Sequence, residues 1–152
     1  MVEPPVRPLV LNLFALVREA LARATWALLN SDVELGRSVV DGDQEIDELT
    51  SELELLICSP IETDELDRHS LRELIGTLML LPELERSADL AEHIAQRALT
   101  SVGAEMTPVG RGIVQRMSEM AAEMWQSVAA AKTPNGSSWT RRTKSPTLST
   151  IV

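Results

Sequence analysis

Pro82-Glu83-Leu84-Glu85-Arg86-Ser87-Ala88-Asp89-Leu90-Ala91-Glu92-His93-Ile94-Ala95 decides how this chain is read. Leu84, Ala88, Ala91, Ile94 and Ala95 recur at three- and four-residue steps, the spacing of one face of an α-helix. On that helix Glu85 and Asp89 stand one turn apart, and like charges at that spacing weaken a helix by roughly 0.2–0.5 kcal/mol. Keeping them implies a gain elsewhere, and a bound cation is the natural candidate. Asp43 and Asp47 repeat the same spacing upstream. His93 extends the first row by a further turn, where an imidazole could join the ligands. The plainer alternatives are a solvated acidic face answered by Arg or Lys neighbours, and a surface histidine favoured by the helix dipole.

Outward from this stretch the pattern stays helical. Val10, Phe14, Val17, Leu21, Ala24 and Leu28 form one apolar stripe from about Leu9 to Asn30. Ser31-Asp32 offers a break and an N-cap for a second helix ending near Cys58, with Gly42 as a soft spot inside it. That helix carries Val39, Ile46, Leu49, Leu53, Leu55 and Leu56. A turn follows at Ser59–Asp64, then a third helix from about Asp64 to Ser101 through Leu71, Leu74, Ile75, Leu78 and Leu81, interrupted by Pro82. Thr107 and Pro108 read as N-cap and first position of a fourth helix running to Lys132.

The predicted fold class is therefore all-α: an antiparallel three-helix bundle over residues 9–101, an additional fourth helix over 107–132, an extended segment over 1–8 and a disordered basic C-terminal tail over 133–152. Adding 100 to Phe14, Val17, Ala20, Leu21, Ala24 and Leu28 lands on Val114, Met117, Met120, Ala121, Met124 and Val128. The fourth helix thus reads as the start of a second, incomplete copy of the first unit. Its row of Met117, Met120 and Met124 is either core that folds back on the bundle or an adaptable partner-binding face.

Composition narrows the function. The net charge is −9, and the four basic residues from Lys132 onward leave residues 1–131 with −13. So acidic a body repels phosphate backbones, which excludes nucleic acid as the main ligand and suits cations or basic protein surfaces. Aromatics are only 3%, so aliphatic side chains must fill the interior. One cysteine, Cys58, no apolar run of membrane-spanning length and an N-terminus with three early prolines point to a cytoplasmic protein without a signal peptide. No Ser-His-Asp arrangement, glycine-rich phosphate loop or Cys-x-x-Cys is present, so no enzyme activity is expected.

Four carboxylates are hard oxygen donors, suited to iron, manganese, magnesium or calcium. Counted from a turn at Pro60, the Asp43/Asp47 and Glu85/Asp89 pairs should be offset by roughly 18 Å along antiparallel helices, less the loop's share. On that count each pair serves a separate site at a surface or a dimer interface.

The chain resembles the PhoU family. Asp32-Val33-Glu34-Leu35 with Gly42-Asp43-Gln44-Glu45-Ile46-Asp47-Glu48-Leu49 is similar to that family's second helix. Leu84 to Ala95 is similar to its signature third helix, with the Glu-Arg-x-x-Asp core at Glu85, Arg86 and Asp89. Met117 to Trp125 is similar to the opening helix of a second repeat. The resemblance implies a negative regulator of phosphate uptake and phosphate-starvation signalling, acting by protein contact and holding iron or other divalent metal ions on its paired acids. It implies partners too: the phosphate ABC transporter ATPase and a sensor histidine kinase, with membrane association only through them, and self-association as a homodimer. Ser70, Ser87-Ala88 and His93 depart from the family pattern. The rival expectations are a stand-alone metal-binding helical protein and a truncated, non-functional relic of a two-repeat ancestor.

Overall fold

The structure is a computed structural model and describes residues 6–62, 66–100 and 102–132. The described residues form five α-helices and no strand: α1 (Val6–Asn30), α2 (Val33–Glu62), α3 (Arg68–Leu78), α4 (Leu81–Ala98) and α5 (Pro108–Ala131), with a 3-10 turn at Val102–Glu105. The expected disordered tail over 133–152, like residues 1–5, lies outside the described residues.

Helix α1 opens at Val6, earlier than the extended segment over 1–8 allowed. Pro8 is no obstacle, because the first-turn N–H that it lacks has no acceptor within the helix. The stripe Val10, Phe14, Val17, Leu21, Ala24 and Leu28 is buried throughout. Ser31, at φ 53°, turns the chain back, and Asp32 accepts a hydrogen bond from the Leu35 N–H at 3.0 Å to cap α2.

Two helix boundaries differ from the sequence reading. Helix α2 runs unbroken past Gly42 and through Pro60 to Glu62, four residues beyond the expected end at Cys58. Ile57 is fully buried, and Leu56 and Ile61 pack against the core, so burial holds the last turn in place despite the proline. The expected third helix is two helices. Its chain breaks at Met79 and Leu80, and Pro82 stands in the first turn of α4, where a proline is tolerated. Asp67 caps α3 by accepting from the His69 and Ser70 N–H groups at 2.8 and 2.9 Å.

α1, α2 and α4 form the core bundle. Leu13, Phe14 and Val17 of α1 meet Leu53 and Ile57 of α2 and Leu81, Leu84 and Ala88 of α4. Arg23 of α1 donates to Ser38 of α2 at 2.6 Å, an antiparallel pairing set by the tight link at Ser31. Two residues expected inside face water: Leu55 is 74% exposed and Ile75 43%. Leu55 stands two residues from each of the fully buried Leu53 and Ile57, a step that carries it to the opposite face of α2, and Ile75 lies next to the buried Leu74 on the outer side of α3. The buried hydroxyls of Thr25, Thr50 and Thr77 each donate to the carbonyl four residues back, so none is stranded.

Helix α5 folds back on α1, antiparallel to it. Trp125 meets Phe14 with ring centroids 5.7 Å apart and planes at 54°. Arg111 donates to the carbonyls of Leu29 and Gly103, and at the other end the Lys132 ammonium donates to the Thr77 hydroxyl at 3.1 Å. The inward side is Ala121, Trp125, Val128 and Ala129. Met117, Met120 and Met124 are not fold-back core: they are 64%, 50% and 68% exposed. Small Ala side chains and a flat indole let the two backbones approach, which long methionine side chains would prevent. No helix among the described residues is long and apolar enough to cross a membrane.

Candidate functional site

Helices α2 and α4 run antiparallel and approach closely where Gly36 faces Ala95. A Cβ at Gly36 would sit 3.2 Å from the Ala95 carbonyl oxygen. That approach sets the register. Seven residues onward along α2 comes Asp43, and six residues back along α4 comes Asp89. Asp43, Asp47 and Asp89 each present a carboxylate oxygen, and these oxygens all lie within 4.8 Å of one another. The two acidic elements meet at one place instead of standing apart.

The expected offset fails because α2 runs on to Glu62 and α3 opens only at Arg68, so the chain reverses after Glu62 and not at Pro60. Asp43 lies 19 residues before Glu62 and Asp89 lies 21 residues after Arg68, nearly level. Glu85, exposed one turn from Asp89, is not among the three that converge. His93, also exposed, is near enough for its charge to bear on Asp43, as is Glu92. Sequence reasoning missed Glu92 because it followed only four-residue steps, and Glu92 lies three residues after Asp89, equally a neighbour on the helix surface.

The electrostatics of the site are one-sided. Burial raises the Asp43 carboxyl first, the charges of Asp47, Glu92 and Asp89 raise it further, and His93 opposes them; the result is about 6, against an ordinary 3.8. None of the three aspartates forms an ion pair with Arg or Lys among the described residues. Arg86 is occupied by Glu83 at 3.3 Å, and His69 pairs with Glu73 at 3.7 Å. Asp47 and Asp89 are exposed and Asp43 is half-buried, so the place is a water-facing acidic patch that no basic side chain answers among the described residues. Three hard oxygen donors from two helices, with their charge left uncompensated, fit a divalent cation.

The raised Asp43 carboxyl has a consequence for stability. The folded protein holds this proton up to about pH 6, whereas the unfolded chain releases it near 3.8. Folding therefore binds a proton in that window, and this group's contribution to stability falls as pH rises from about 4 to 6. Asp43→Asn removes the buried charge. Without metal the variant is expected to be more stable than the parent at pH 7, by about 1 kcal/mol, since water reaching the carboxylate screens its neighbours. At pH 4 the gain should vanish. Urea unfolding with a chelator at both pH values reads the difference, and a loss of stability at pH 7 would contradict this account.

Residues 10–98, more than half of the chain, match the family model described as the PhoU domain. The chain is 35% identical over 116 residues to the "Phosphate-specific transport system accessory protein PhoU homolog" of Aquifex aeolicus, covering 76% of this chain and 52% of that protein. It is 32% identical over 127 residues to the protein of the same name in Zymomonas mobilis, covering 83% and 53%. The "Phosphate-specific transport system accessory protein PhoU" of Edwardsiella tarda is 27% identical over 104 residues, covering 68% and 43%. The chain spans about half the length of these curated relatives. No solved structure gives a significant match.

Proposed function

The chain belongs to the PhoU family, and from that premise we propose that it serves as a non-enzymatic accessory protein of a phosphate transport system. It restrains phosphate uptake and phosphate-starvation signalling by protein contact in the cytoplasm. Its partners are the phosphate ABC transporter ATPase and a sensor histidine kinase, and through them it reaches the membrane. Asp43, Asp47 and Asp89 hold a divalent cation such as iron or manganese, with Glu85 and His93 at hand to complete or exchange ligands. The cation's part is structural: it neutralises repelling carboxylates and ties α2 to α4.

The single observation that carries the metal reading is the convergence of three uncompensated carboxylates from two helices inside the family-matched segment. The regulatory reading is supported by the names of the relatives.

Two measurements test the proposal. Titration of the chelator-treated protein with Mn²⁺ or Fe²⁺ should raise its thermal midpoint, and Asp43→Asn or Asp89→Asn should weaken binding about 10- to 100-fold, the usual effect of losing a ligand or its support. Affinity capture should retain the transporter ATPase. Metal binding without capture of the ATPase favours the stand-alone metal-binding protein. Neither outcome in hand returns the relic.

A further inference from the structure

Helix α5 is held differently from the rest of the bundle. None of its 24 residues is buried, whereas α1 buries eleven and α4 six. The largest fully buried side chains all belong to α1, α2, α3 and α4. From α5, Val114, Ala121, Trp125, Val128 and Ala129 pack on the core, and each stays partly exposed. Lifting α5 away would leave the packing among the other helices in place, apart from the Phe14 ring that Trp125 covers.

The polar contacts that fasten α5 come from three cations, and none of them meets a counter-charge. Arg18 of α1 donates to the Gln126 amide oxygen at 3.1 Å, while its Nε is buried without an acceptor. Arg111 spends its guanidinium on the backbone carbonyls of Leu29 and Gly103. The half-buried Lys132 ammonium reaches the Thr77 hydroxyl at 3.1 Å. Burial pushes this ammonium below its ordinary 10.5, Glu73 opposes the fall and Arg7 adds to it. No ion pair among the described residues includes any of the three. A charge drawn out of water and met by neutral partners regains solvation when it returns there. Closing α5 on α1 therefore gains apolar contact and loses cation hydration. The two oppose each other.

We infer that α5 is a strap: it lifts off α1 as one unit, hinged at Met106-Thr107, while α1, α2 and α4 stay packed. Closed, it covers Phe14 and leaves Arg18 one hydrogen bond short. Open, it bares an aromatic ring beside a fully hydrated guanidinium on α1. Elements that move in switching are drawn from the least stable end of a fold, and by burial α5 is that end. The hinge follows Gly103, because the close approach of that glycine to the Leu28 carbonyl pins the 3-10 turn to α1. Once free of α1, a single helix is only marginally stable in water, so its amides exchange with solvent at each opening. The strap is independent of the metal and phosphate readings.

Native-state hydrogen exchange of the full chain, read residue by residue by NMR, is the test. Amides from Met117 to Ala129 are expected to share one opening constant, at least about 100-fold larger than that of Leu13 to Leu21 in α1. Ile46→Val thins the packing between α1 and α2, which an open strap leaves intact. It should raise the α1 constant about 3- to 10-fold and leave the α5 constant within about twofold. Arg18→Met removes the uncompensated cation and keeps the length of the side chain. It should lower the α5 constant about 3- to 10-fold, although it deletes a hydrogen bond to that helix. Protection in α5 equal to that in α1 overturns the inference. So does exchange graded inward from Lys132, which is fraying of one end and not the opening of a unit. An α5 constant that follows Ile46→Val as closely as the α1 constant does, or one that rises with Arg18→Met, overturns it equally.

Discussion

Phe14→Ala is expected to lower stability by about 4 kcal/mol, among the largest losses available to a single substitution in a small core. Phe14 is 1% exposed, sits midway along the helix that every other long helix touches, and is the largest fully buried side chain. Truncation leaves a cavity whose walls are helices pinned at several other points, so the site collapses only in part. The loss reaches α5 as well, because the Trp125 ring rests on Phe14 at 5.7 Å. The thermal midpoint should fall by about 12 °C for a domain of this size. The Trp125 fluorescence should shift to the red before global unfolding. Urea unfolding followed by circular dichroism and by tryptophan emission measures both, and a loss under about 1 kcal/mol would refute the central place given to this ring.

Gly103→Ala should cost nearly as much, about 3 kcal/mol, for a reason unrelated to side-chain packing. Gly103 is buried in the 3-10 turn that leads into α5, with its Cα pressed against the Leu28 carbonyl of α1. An added Cβ would land inside the van der Waals surface of that oxygen and close to its carbon. Both groups are backbone, so no rotamer change relieves the clash. The turn must back away, and it would take with it the Arg111 hydrogen bonds that satisfy its own Gly103 carbonyl and the Leu29 carbonyl at the end of α1. Gly42→Ala is the control, since a Cβ there finds nothing within 4 Å and alanine favours the helix. Thermal unfolding of the two variants should move in opposite directions. Equal shifts would mean that the close approach at Leu28 is not what Gly103 supplies.

Much of the fold can be read from the residues. The α1 stripe, the Asp32 cap, and the Thr107-Pro108 opening of α5 are local signals, and local physics decides them. Asp32 and Thr107 cap because each offers a short side-chain oxygen to free N–H groups, and each does so in the structure. The boundaries governed by tertiary burial are harder to read. Pro60 looks like a stop, yet the apolar Ile57 and Ile61 beside it carry the helix onward.

That one turn of extra helix decides the site. With the bend at Pro60, Asp47 and Glu85 seem far apart; with α2 continuing to Glu62 and α3 opening at Arg68, Asp43, Asp47 and Asp89 converge. The paired acids were visible in the sequence, but their meeting depended on a boundary that burial sets. The two apolar sides of α5 pose a related problem. A period of 3.6 admits both the methionine row and the Ala121–Trp125–Val128 row. Only the closeness of the α1 backbone chooses between them.

Asp43 and Asp89 are neighbours in space but separated by 46 positions of chain. An ion bound there, as proposed above, could be captured only once the two helices had found each other, and no short peptide from this protein would hold it in the same way. Whatever loosens α4 from α2 would then also loosen the grip on the proposed ion, and by thermodynamic reciprocity a bound ion would resist that loosening by the same free energy. A partner that pries the pair apart would sense metal supply with no contact to the metal at all.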